Sequence, residues 1–351
     1  MADAAPTDAG ASAALQRVHA YDARPLDFSA IDWPVEAPPF AEPELRSAWH
    51  RLQYLAMRGA TRGATALPAL LQRGLVRTVA GAARRLDRRH TAAARDFLRT
   101  ALPDLDDEAR ERLVEEAWRH LLRVALAAEG VSEHVLGRRV GDVYDVWMAP
   151  GVEALMQRPG GFLCVTAHIG YWELSPPGVA AVTGRPCYGV GKAPRNDFVA
   201  AHVLRMRERQ GMRLVPRNGA MQVVPAALRA GCVAGLLLDH RPRQKPVYAP
   251  FFGRRAACDR SAGVLLRRVA APIVFYGCYG LGSDDSRRDA GWRFELRFTR
   301  LVRPEELAGL APEAISALVN HELEALIRHR PEQYFWLHDR YKQDHQRGQD
   351  H

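Results

Sequence analysis

Apolar and polar positions follow two different periods along this chain. From residue 44 to residue 130 the apolar side chains recur at helical spacing, as Leu45, Trp49 and Leu52 do, which predicts amphipathic helices. From residue 162 onward, short apolar runs alternate with further helical patterns. That alternation is typical of an α/β sheet covered by helices on both faces.

The second region contains six apolar or alternating runs and four helical patterns. The predicted strands are residues 162–167, 187–190, 213–215, 232–238, 273–279 and 292–299. The predicted helices are residues 198–210, 222–230, 261–269 and 312–330. We therefore expect one α/β domain over residues 141–345, followed by a short tail over residues 346–351.

The N-terminal part divides into two segments. Residues 1–43 are rich in Ala, Pro and Asp, which predicts an irregular arm anchored by aromatic residues such as Trp33. Residues 44–140 form a helical region, and its most apolar stretch is interrupted by Arg73 and Arg77. This stretch reads as a basic amphipathic helix that lies on an anionic membrane; the alternative is an ordinary helix whose polar face is basic.

Composition and net charge limit the binding partners and the cellular compartment that suit this chain. The chain has 351 residues, 47% of them hydrophobic, and a net charge of +9. Such a surface suits nucleic acid, anionic lipid headgroups or an acidic protein, although a solvated arginine-rich surface is the simpler alternative. The five cysteines are widely spaced, which fits a reducing compartment. Without a signal peptide or an apolar stretch of about 18 residues, any membrane contact is expected to be peripheral.

Chemically active side chains follow two of the predicted strands. His168 comes directly after strand 162–167, and Glu173 follows five residues later. A histidine with an orienting carboxylate supplies a general base near neutral pH, although a capped helix start with a satisfied histidine is the alternative. Asp239 ends strand 232–238 and would enter the same crevice if the two strands are parallel neighbours; otherwise it caps a turn.

Basic residues cluster in the loops after the predicted strands. They are Lys192, Arg195, Arg217, Arg241, Arg243 and Lys245. Guanidinium groups bind phosphate through paired hydrogen bonds, so this placement predicts an anion site for a phosphorylated acceptor or a phosphopantetheine arm.

A proline-rich apolar segment spans residues 246–253 and includes Pro250, Phe251, Phe252 and Gly253. Two prolines and a glycine disfavour a regular element. We expect a rigid apolar loop that forms the wall of an acyl-chain groove; the alternative is a hydrophobic loop packed on the core.

Five ordered blocks between about residue 50 and residue 343 carry a resemblance to a known family. They are His168-Ile-Gly-Tyr-Trp-Glu173, Leu238-Asp239-His240, Val247-Tyr-Ala-Pro-Phe-Phe-Gly253, Ala271-Pro272-Ile-Val, and Pro331-Glu-Gln-Tyr-Phe-Trp-Leu-His338 followed by Arg340-Tyr341-Lys342. In these blocks the chain resembles the late lipid A biosynthesis acyltransferases, the lauroyl/myristoyl transferase branch of the lysophospholipid acyltransferase superfamily.

The resemblance implies a fold and residue roles. The fold would be a mixed, largely parallel central sheet flanked by helices, as in glycerol-3-phosphate acyltransferase, with an N-terminal helical segment. His168 would be the base and Glu173 its orienting partner. Lys192 stands where the family usually has arginine, Arg217 falls near a substrate-phosphate position, and Asp239 is the family's acidic strand end.

The resemblance also implies a reaction. A fatty acyl chain would pass directly from an acyl thioester, held by acyl carrier protein, to a hydroxyl of a lipid A precursor, with backbone N–H groups near Gly170 stabilising the oxyanion. Another glycolipid, a glycerophospholipid or an amino-acid lipid is the alternative acceptor, because the segment after Asp239 is more basic than is usual in the family. The enzyme would need no cofactor and no metal, and would work peripherally at the cytoplasmic face of the inner membrane.

Two other classes of function compete with this interpretation. An arginine-rich nucleic-acid-binding protein would suit the charge, but the chain lacks a helix-turn-helix, RNA-recognition or zinc-finger signature. A metal hydrolase could use His168, Glu173, Asp239 and His240, but these residues lack a His-Glu-x-x-His spacing.

Overall fold

The computed structural model describes residues 14–40, 47–130, 135–242, 246–281 and 292–341. Its strands are β1 (Gln16–Arg17), β2 (Tyr144–Met148), β3 (Phe162–Thr166), β4 (Cys187–Gly191), β5 (Met212–Pro216), β6 (Val233–Leu237), β7 (Val247–Phe251), β8 (Arg254–Cys258), β9 (Ile273–Gly280) and β10 (Phe294–Val302). Its helices are α1 (Ala48–Ala66), α2 (Ala69–Leu86), α3 (Arg88–Ala101), α4 (Asp107–Gly130), α5 (Val140–Val143), α6 (Val152–Gln157), α7 (Ser175–Thr183), α8 (Asp197–Arg209), α9 (Ala220–Arg229), α10 (Arg260–Val269), α11 (Pro304–Leu307) and α12 (Pro312–His329). Trp172–Leu174 and Pro331–Gln333 form single turns of 3₁₀ helix.

Eight of these strands form one sheet in the order β1-β2-β10-β9-β3-β6-β4-β5. The neighbours from β9 through β3, β6, β4 and β5 are all parallel, as are β2 and β10. Only β1 with β2 and β10 with β9 pair antiparallel within this sheet. The expectation of a mixed, largely parallel sheet with an N-terminal helical segment is confirmed.

Strand β3 is apolar because both of its faces are covered. Leu163 and Val165 enter one hydrophobic cluster, which also contains residues of α3, α4, α9 and α12. Phe162 and Cys164 enter a second cluster on the opposite face, together with residues of α5, α6 and α7. A strand buried on both faces reads as a continuous apolar run, which is why this element is predictable from the sequence.

Besides the two-residue strand β1, two strand-forming segments escaped the sequence prediction. Residues 144–148, which lie outside the predicted strands, form β2, where buried and half-buried positions alternate. The segment expected to be an irregular loop, residues 246–253, forms β7 and the turn of a hairpin with β8, in which Pro250 pairs with Arg255. Proline is tolerated there because the hairpin has only two strands, and each has an unpaired edge. The turn uses left-handed backbone at Phe252 (φ 49°) and Gly253 (φ 72°).

Residues 14–40, expected to be an irregular arm, run along the sheet. Tyr21 and Leu26 are fully buried in the second cluster. Trp33 lies edge-on to Tyr188 of β4, with ring centroids 5.5 Å apart, and the guanidinium of Arg213 lies over its indole ring. Trp33, the predicted anchor, therefore contacts the edge of the sheet.

The helical region shares its core with the sheet domain. Phe97 of α3 is 1% exposed and is ringed by aromatic side chains at centroid distances of 5.0–6.2 Å. Those side chains belong to Phe251, Phe252, Tyr334, Trp336 and Tyr341. Helix α3 is thus packed onto the hairpin and onto residues 331–341, called the C-terminal segment below.

Helices α1 and α2 leave large apolar side chains in solvent. This exposed apolar face consists of Trp49, Leu52, Leu55, Leu70, Leu71, Leu75, Val79 and Leu86. Apolar patches of this kind mark interaction sites more often than scattered surface residues do. No helix in the described ranges is both long enough and apolar enough to span a bilayer.

Shortening Phe97 should test whether α3 is part of the common core. We expect Phe97→Ala to lower the free energy of unfolding by about 3–5 kcal/mol, because it empties a site surrounded by five rings. Leu70→Ala, at a position that is 78% exposed, should change it by less than about 0.5 kcal/mol. Urea unfolding of both variants measures the difference; equal small effects would mean that α3 is not held by this cluster.

Candidate active site

His168 and Asp239 meet because their strands are paired in register. Thr166, the last residue of β3, lies opposite Leu237, the last residue of β6, and the two strands are parallel. His168 and Asp239 each lie two residues beyond those ends. The His168 Nδ1 lies 2.8 Å from Asp239 Oδ1, and the His168 backbone N–H donates to Oδ2 at 3.0 Å.

Asp239 is a buried carboxylate with three donors. Its side chain is 2% exposed, and the Tyr334 hydroxyl donates to Oδ2 at 3.2 Å. Although burial opposes ionisation, the charge and hydrogen bonds of His168 hold the pKa of Asp239 far below its usual range. Burial lowers the pKa of His168, but the charge and hydrogen bond of Asp239 outweigh it and raise that pKa. With 18% of its side chain exposed, His168 remains reachable from solvent.

Two further histidines, His240 and His338, lie beside the His168–Asp239 pair. The Nε2 atom of His240 lies 3.0 Å from Nε2 of His168, and the His338 ring lies edge-on to His240 at 4.6 Å. The backbone N–H of Arg241 donates to Nε2 of His338 at 3.3 Å. Burial, reinforced by the neighbouring imidazole, lowers the pKa of His240 to about 4 and that of His338 to about 3. Both residues lie in blocks that carried the family resemblance, but the contact of His240 with His168, and that of His338 with His240, could not be predicted from spacing.

Glu173 does not occupy the orienting position that its spacing suggested. Its carboxylate accepts two short hydrogen bonds from Nη2 of Arg207 on α8, at 2.8 and 2.7 Å, and a longer one from Nε. The 3₁₀ turn after Tyr171 carries the side chain toward α8, and Nδ1 of His168 is already bonded to Asp239. Glu173 contributes only a nearby negative charge to His168, whereas Asp239 is the carboxylate bonded to its Nδ1 atom.

The loop after His168 is bonded into the core. Gly170 has a φ of 58°, and its N–H donates to the Gln333 carbonyl at 2.8 Å. The N–H of Tyr171 donates to the Cys278 carbonyl at 2.6 Å, and buried His120 donates to the Gly170 carbonyl at 2.9 Å. Burial lowers the pKa of His120 to about 4, so this imidazole is neutral near pH 7. The N–H groups of Gly170 and Tyr171 are therefore engaged and do not form the oxyanion site that we expected.

Four of the basic residues named from the sequence lie beyond the carboxyl ends of β4, β5 and β6. Gly191 and Pro216, the last residues of β4 and β5, are paired, so Lys192 and Arg217 leave the sheet side by side. Arg195 and Arg241 lie in the following segments. Within the described ranges none of these four side chains forms an ion pair, so their charge is uncompensated; Arg243 and Lys245 lie outside the described residues.

The two aromatic residues of the segment from Pro250 to Gly253 face the core, whereas Pro250 and Gly253 themselves are exposed. Phe251 and Phe252 are buried, and the Pro250 carbonyl accepts a hydrogen bond from the Asn320 amide at 2.7 Å. Adjacent side chains of a strand point to opposite faces, but the left-handed backbone at Phe252 (φ 49°) interrupts this alternation, and both rings pack against Phe97. The groove wall expected here is therefore a packed hairpin in the structure.

The residues of the metal-hydrolase alternative do not converge as ligands. Glu173 is bonded to Arg207, whereas Asp239 is bonded to His168 and Tyr334. Across the part of the chain that the structure describes, no three His, Cys, Asp or Glu side chains are grouped so that they could hold a metal ion.

Residues 43–343 match the family model of bacterial lipid A biosynthesis acyltransferases. The chain belongs to this family. The match covers most of the chain, and it confirms the family to which the five sequence blocks pointed. A search of curated proteins found no match. This lipid A biosynthesis acyltransferase family member is accordingly an acyltransferase, with a histidine–aspartate pair at the carboxyl edge of its sheet.

Gly170 offers a test of how tightly the loop after His168 is held. A Cβ at this position would lie 2.0 Å from the backbone carbonyl oxygen of Cys278, so the loop must move. We expect Gly170→Ala to be destabilising by more than about 3 kcal/mol, because a left-handed φ and a backbone clash are combined.

The matched control is Gly231→Ala, where φ is also positive (81°) but nothing lies within 4 Å of the added Cβ. This variant should lose only about 1 kcal/mol, the strain of the backbone conformation alone. Thermal unfolding of the two variants gives the comparison, and a Gly170 variant as stable as the Gly231 variant would contradict the packing of the loop.

Proposed function

We propose that this acyltransferase transfers a fatty acyl chain from acyl carrier protein to a hydroxyl of a lipid A precursor, with His168 as general base and Asp239 as its orienting carboxylate. The observation that carries this assignment is the 2.8 Å contact between Nδ1 of His168 and Asp239, at the sheet edge where ligands bind in such folds. Asp239 replaces Glu173 in the role that the sequence suggested.

The proton and bond changes follow from that pair. With Nδ1–H donating to Asp239, the lone pair of His168 Nε2 can accept the proton of the acceptor hydroxyl. The hydroxyl oxygen attacks the thioester carbonyl, the ester C–O bond forms, and the C–S bond breaks. The departing thiolate takes up the proton from His168. Throughout, Asp239 fixes the tautomer of the imidazole and stabilises its cation, as the carboxylate of a catalytic triad does.

The uncompensated cations at the same edge support an anionic substrate. Lys192, Arg195, Arg217 and Arg241 can hold the phosphate of the acceptor or of the phosphopantetheine arm. Arg217 is near enough to His168 for its charge to lower the pKa of the imidazole. A net charge of +9 also favours an acidic carrier protein as the donor.

The exposed apolar face of α1 and α2 supports peripheral attachment to the cytoplasmic face of the inner membrane. The same two helices carry the exposed arginines Arg51, Arg62, Arg73 and Arg77. Apolar side chains that enter the bilayer boundary, flanked by guanidinium groups that attract anionic headgroups, are the features of an interfacial helix.

Substitutions of His168, Asp239 and Glu173 should separate the roles of these three residues. We expect His168→Ala and Asp239→Asn each to lower the rate of acyl transfer by about 10²–10⁴-fold, because the first removes the base and the second misorients it. Glu173→Gln should stay within about tenfold of the parent, since its carboxylate is bonded to Arg207. The assay uses purified protein, acyl carrier protein with a fatty acyl chain, and a lipid A precursor.

Two results of that assay would contradict the proposal: full activity of His168→Ala, or a greater loss in Glu173→Gln than in Asp239→Asn. The acceptor is tested separately by the lipid profile of a deletion strain. Loss of one secondary acyl chain from lipid A is the expected result, whereas a changed ornithine-lipid or glycerophospholipid pool would identify a different acceptor.

Membrane attachment is tested with vesicles that contain phosphatidylglycerol. Leu71→Glu, in the exposed apolar face, should weaken vesicle binding about tenfold or more, because it removes a leucine from the bilayer boundary and adds repulsion. Ala314→Glu, an exposed position on α12, adds the same charge elsewhere and should leave binding nearly unchanged. Equal binding by both variants would argue against this face as the attachment surface.

A further inference from the structure

The nitrogen of His168 that must act as the base already contacts another histidine. Nδ1 of His168 is bonded to Asp239, and Nε2 lies 3.0 Å from Nε2 of His240. We propose that His240 is a positioning residue: in the free enzyme its Nε2–H donates to Nε2 of His168 and keeps that imidazole neutral until the acceptor hydroxyl takes its place. The inference rests on His168 being the general base.

The direction of this hydrogen bond follows from the tautomers. A nitrogen–nitrogen contact of 3.0 Å needs one donor and one acceptor. Asp239 also accepts the His168 backbone N–H and the Tyr334 hydroxyl, so it is an ionised acceptor that takes the Nδ1–H of His168. Neutral His168 then has only a lone pair on Nε2. The donor in the contact is therefore the Nε2–H of His240.

The two partners of His168 act in opposite directions on its protonation. Asp239 stabilises the imidazolium, whereas an N–H that points at Nε2 stabilises only the neutral ring. If both histidines were charged, two positive groups would face each other across 3.0 Å. His168 and His240 together therefore carry at most one positive charge.

The charged and titratable surroundings come from several elements. His168 is faced by Asp239, Glu173 and Arg217, and His240 by Asp239, Arg217, Arg340 and His338. Burial and the charge of His168 keep the pKa of His240 low, near 4, so His240 is neutral and able to donate near pH 7.

Aromatic packing confines the two rings. His338 lies edge-on to His240 with ring centroids 4.6 Å apart. Trp172 and Phe335 lie against His168 at centroid distances of 5.4 and 6.3 Å. These aromatic contacts keep Nε2 of His240 directed at Nε2 of His168. The acceptor hydroxyl must therefore displace His240 to reach the base.

Replacing His240 with a ring that cannot donate tests the proposal. His240→Phe removes the N–H, so the neutral form of His168 loses its stabilisation and the pKa of His168 rises. We expect the acid limb of kcat/KM, which reports the free enzyme, to move to higher pH by about 0.5–1 unit. The plateau at high pH should stay within about tenfold of the parent. His240→Leu should behave in the same way and provides a second variant if the first does not fold.

An NMR titration of the His168 imidazole in ligand-free protein gives a readout that needs no substrate. His240→Phe should shift this titration upward, whereas Asp239→Asn should shift it downward, because the two partners favour opposite protonation states. If His240→Phe shifts the His168 titration upward but the parent protein transfers no acyl chain, the proposed function is wrong and the hydrogen bond from His240 to His168 is still supported.

Three results would overturn the positioning role. An unmoved or lowered His168 titration in both His240 variants would mean that the N–H does not act on His168. An acid limb that stays in place would exclude an effect on the active base. A loss of about 10²-fold or more at every pH would mean that His240 carries the proton itself as a catalytic group.

Discussion

The parallel pairing of β3 with β6 is the constraint on which the candidate active site depends. Because Thr166 is opposite Leu237, the residues two positions beyond them emerge side by side, and an imidazole reaches a carboxylate without any loop rearrangement. Side chains in a strand alternate between faces, so a register slip of one residue would turn one partner away. The register is protected by the apolar cores on both faces of the sheet.

A second constraint is the buried charge that this pairing creates. An ionised carboxylate excluded from water is tolerated only when donors surround it, and Asp239 has the imidazole and backbone N–H of His168 and the hydroxyl of Tyr334. Tyr334 lies in the C-terminal segment, which also holds Gly170 through Gln333. Assembly of the site is therefore linked to packing of Gln333 and Tyr334 against the sheet.

Much of the architecture was predictable from periodicity. Strands buried on both faces, such as β3 and β9, are continuous apolar runs, and α4 ends at Gly130, where the helical spacing of apolar residues also ends. Strand β2 and the β7–β8 hairpin were not predictable, because Asp145 interrupts the apolar run of the first and the second contains Pro250, which normally marks irregular structure. In both cases pairing with another strand decided the conformation, and local preference did not.

The sequence by itself determined which groups stand at the ends of the strands and to which family the chain belongs. It placed His168, Lys192, Arg217 and Asp239 at one edge, since parallel strands end on the same side. Only the tertiary structure decided that Asp239, 71 positions away, meets the imidazole while the nearer Glu173 binds Arg207. The same holds for His240 on the other nitrogen. Hydrogen-bond partners so far apart in the chain are set by strand order and register, which no local pattern of residues specifies.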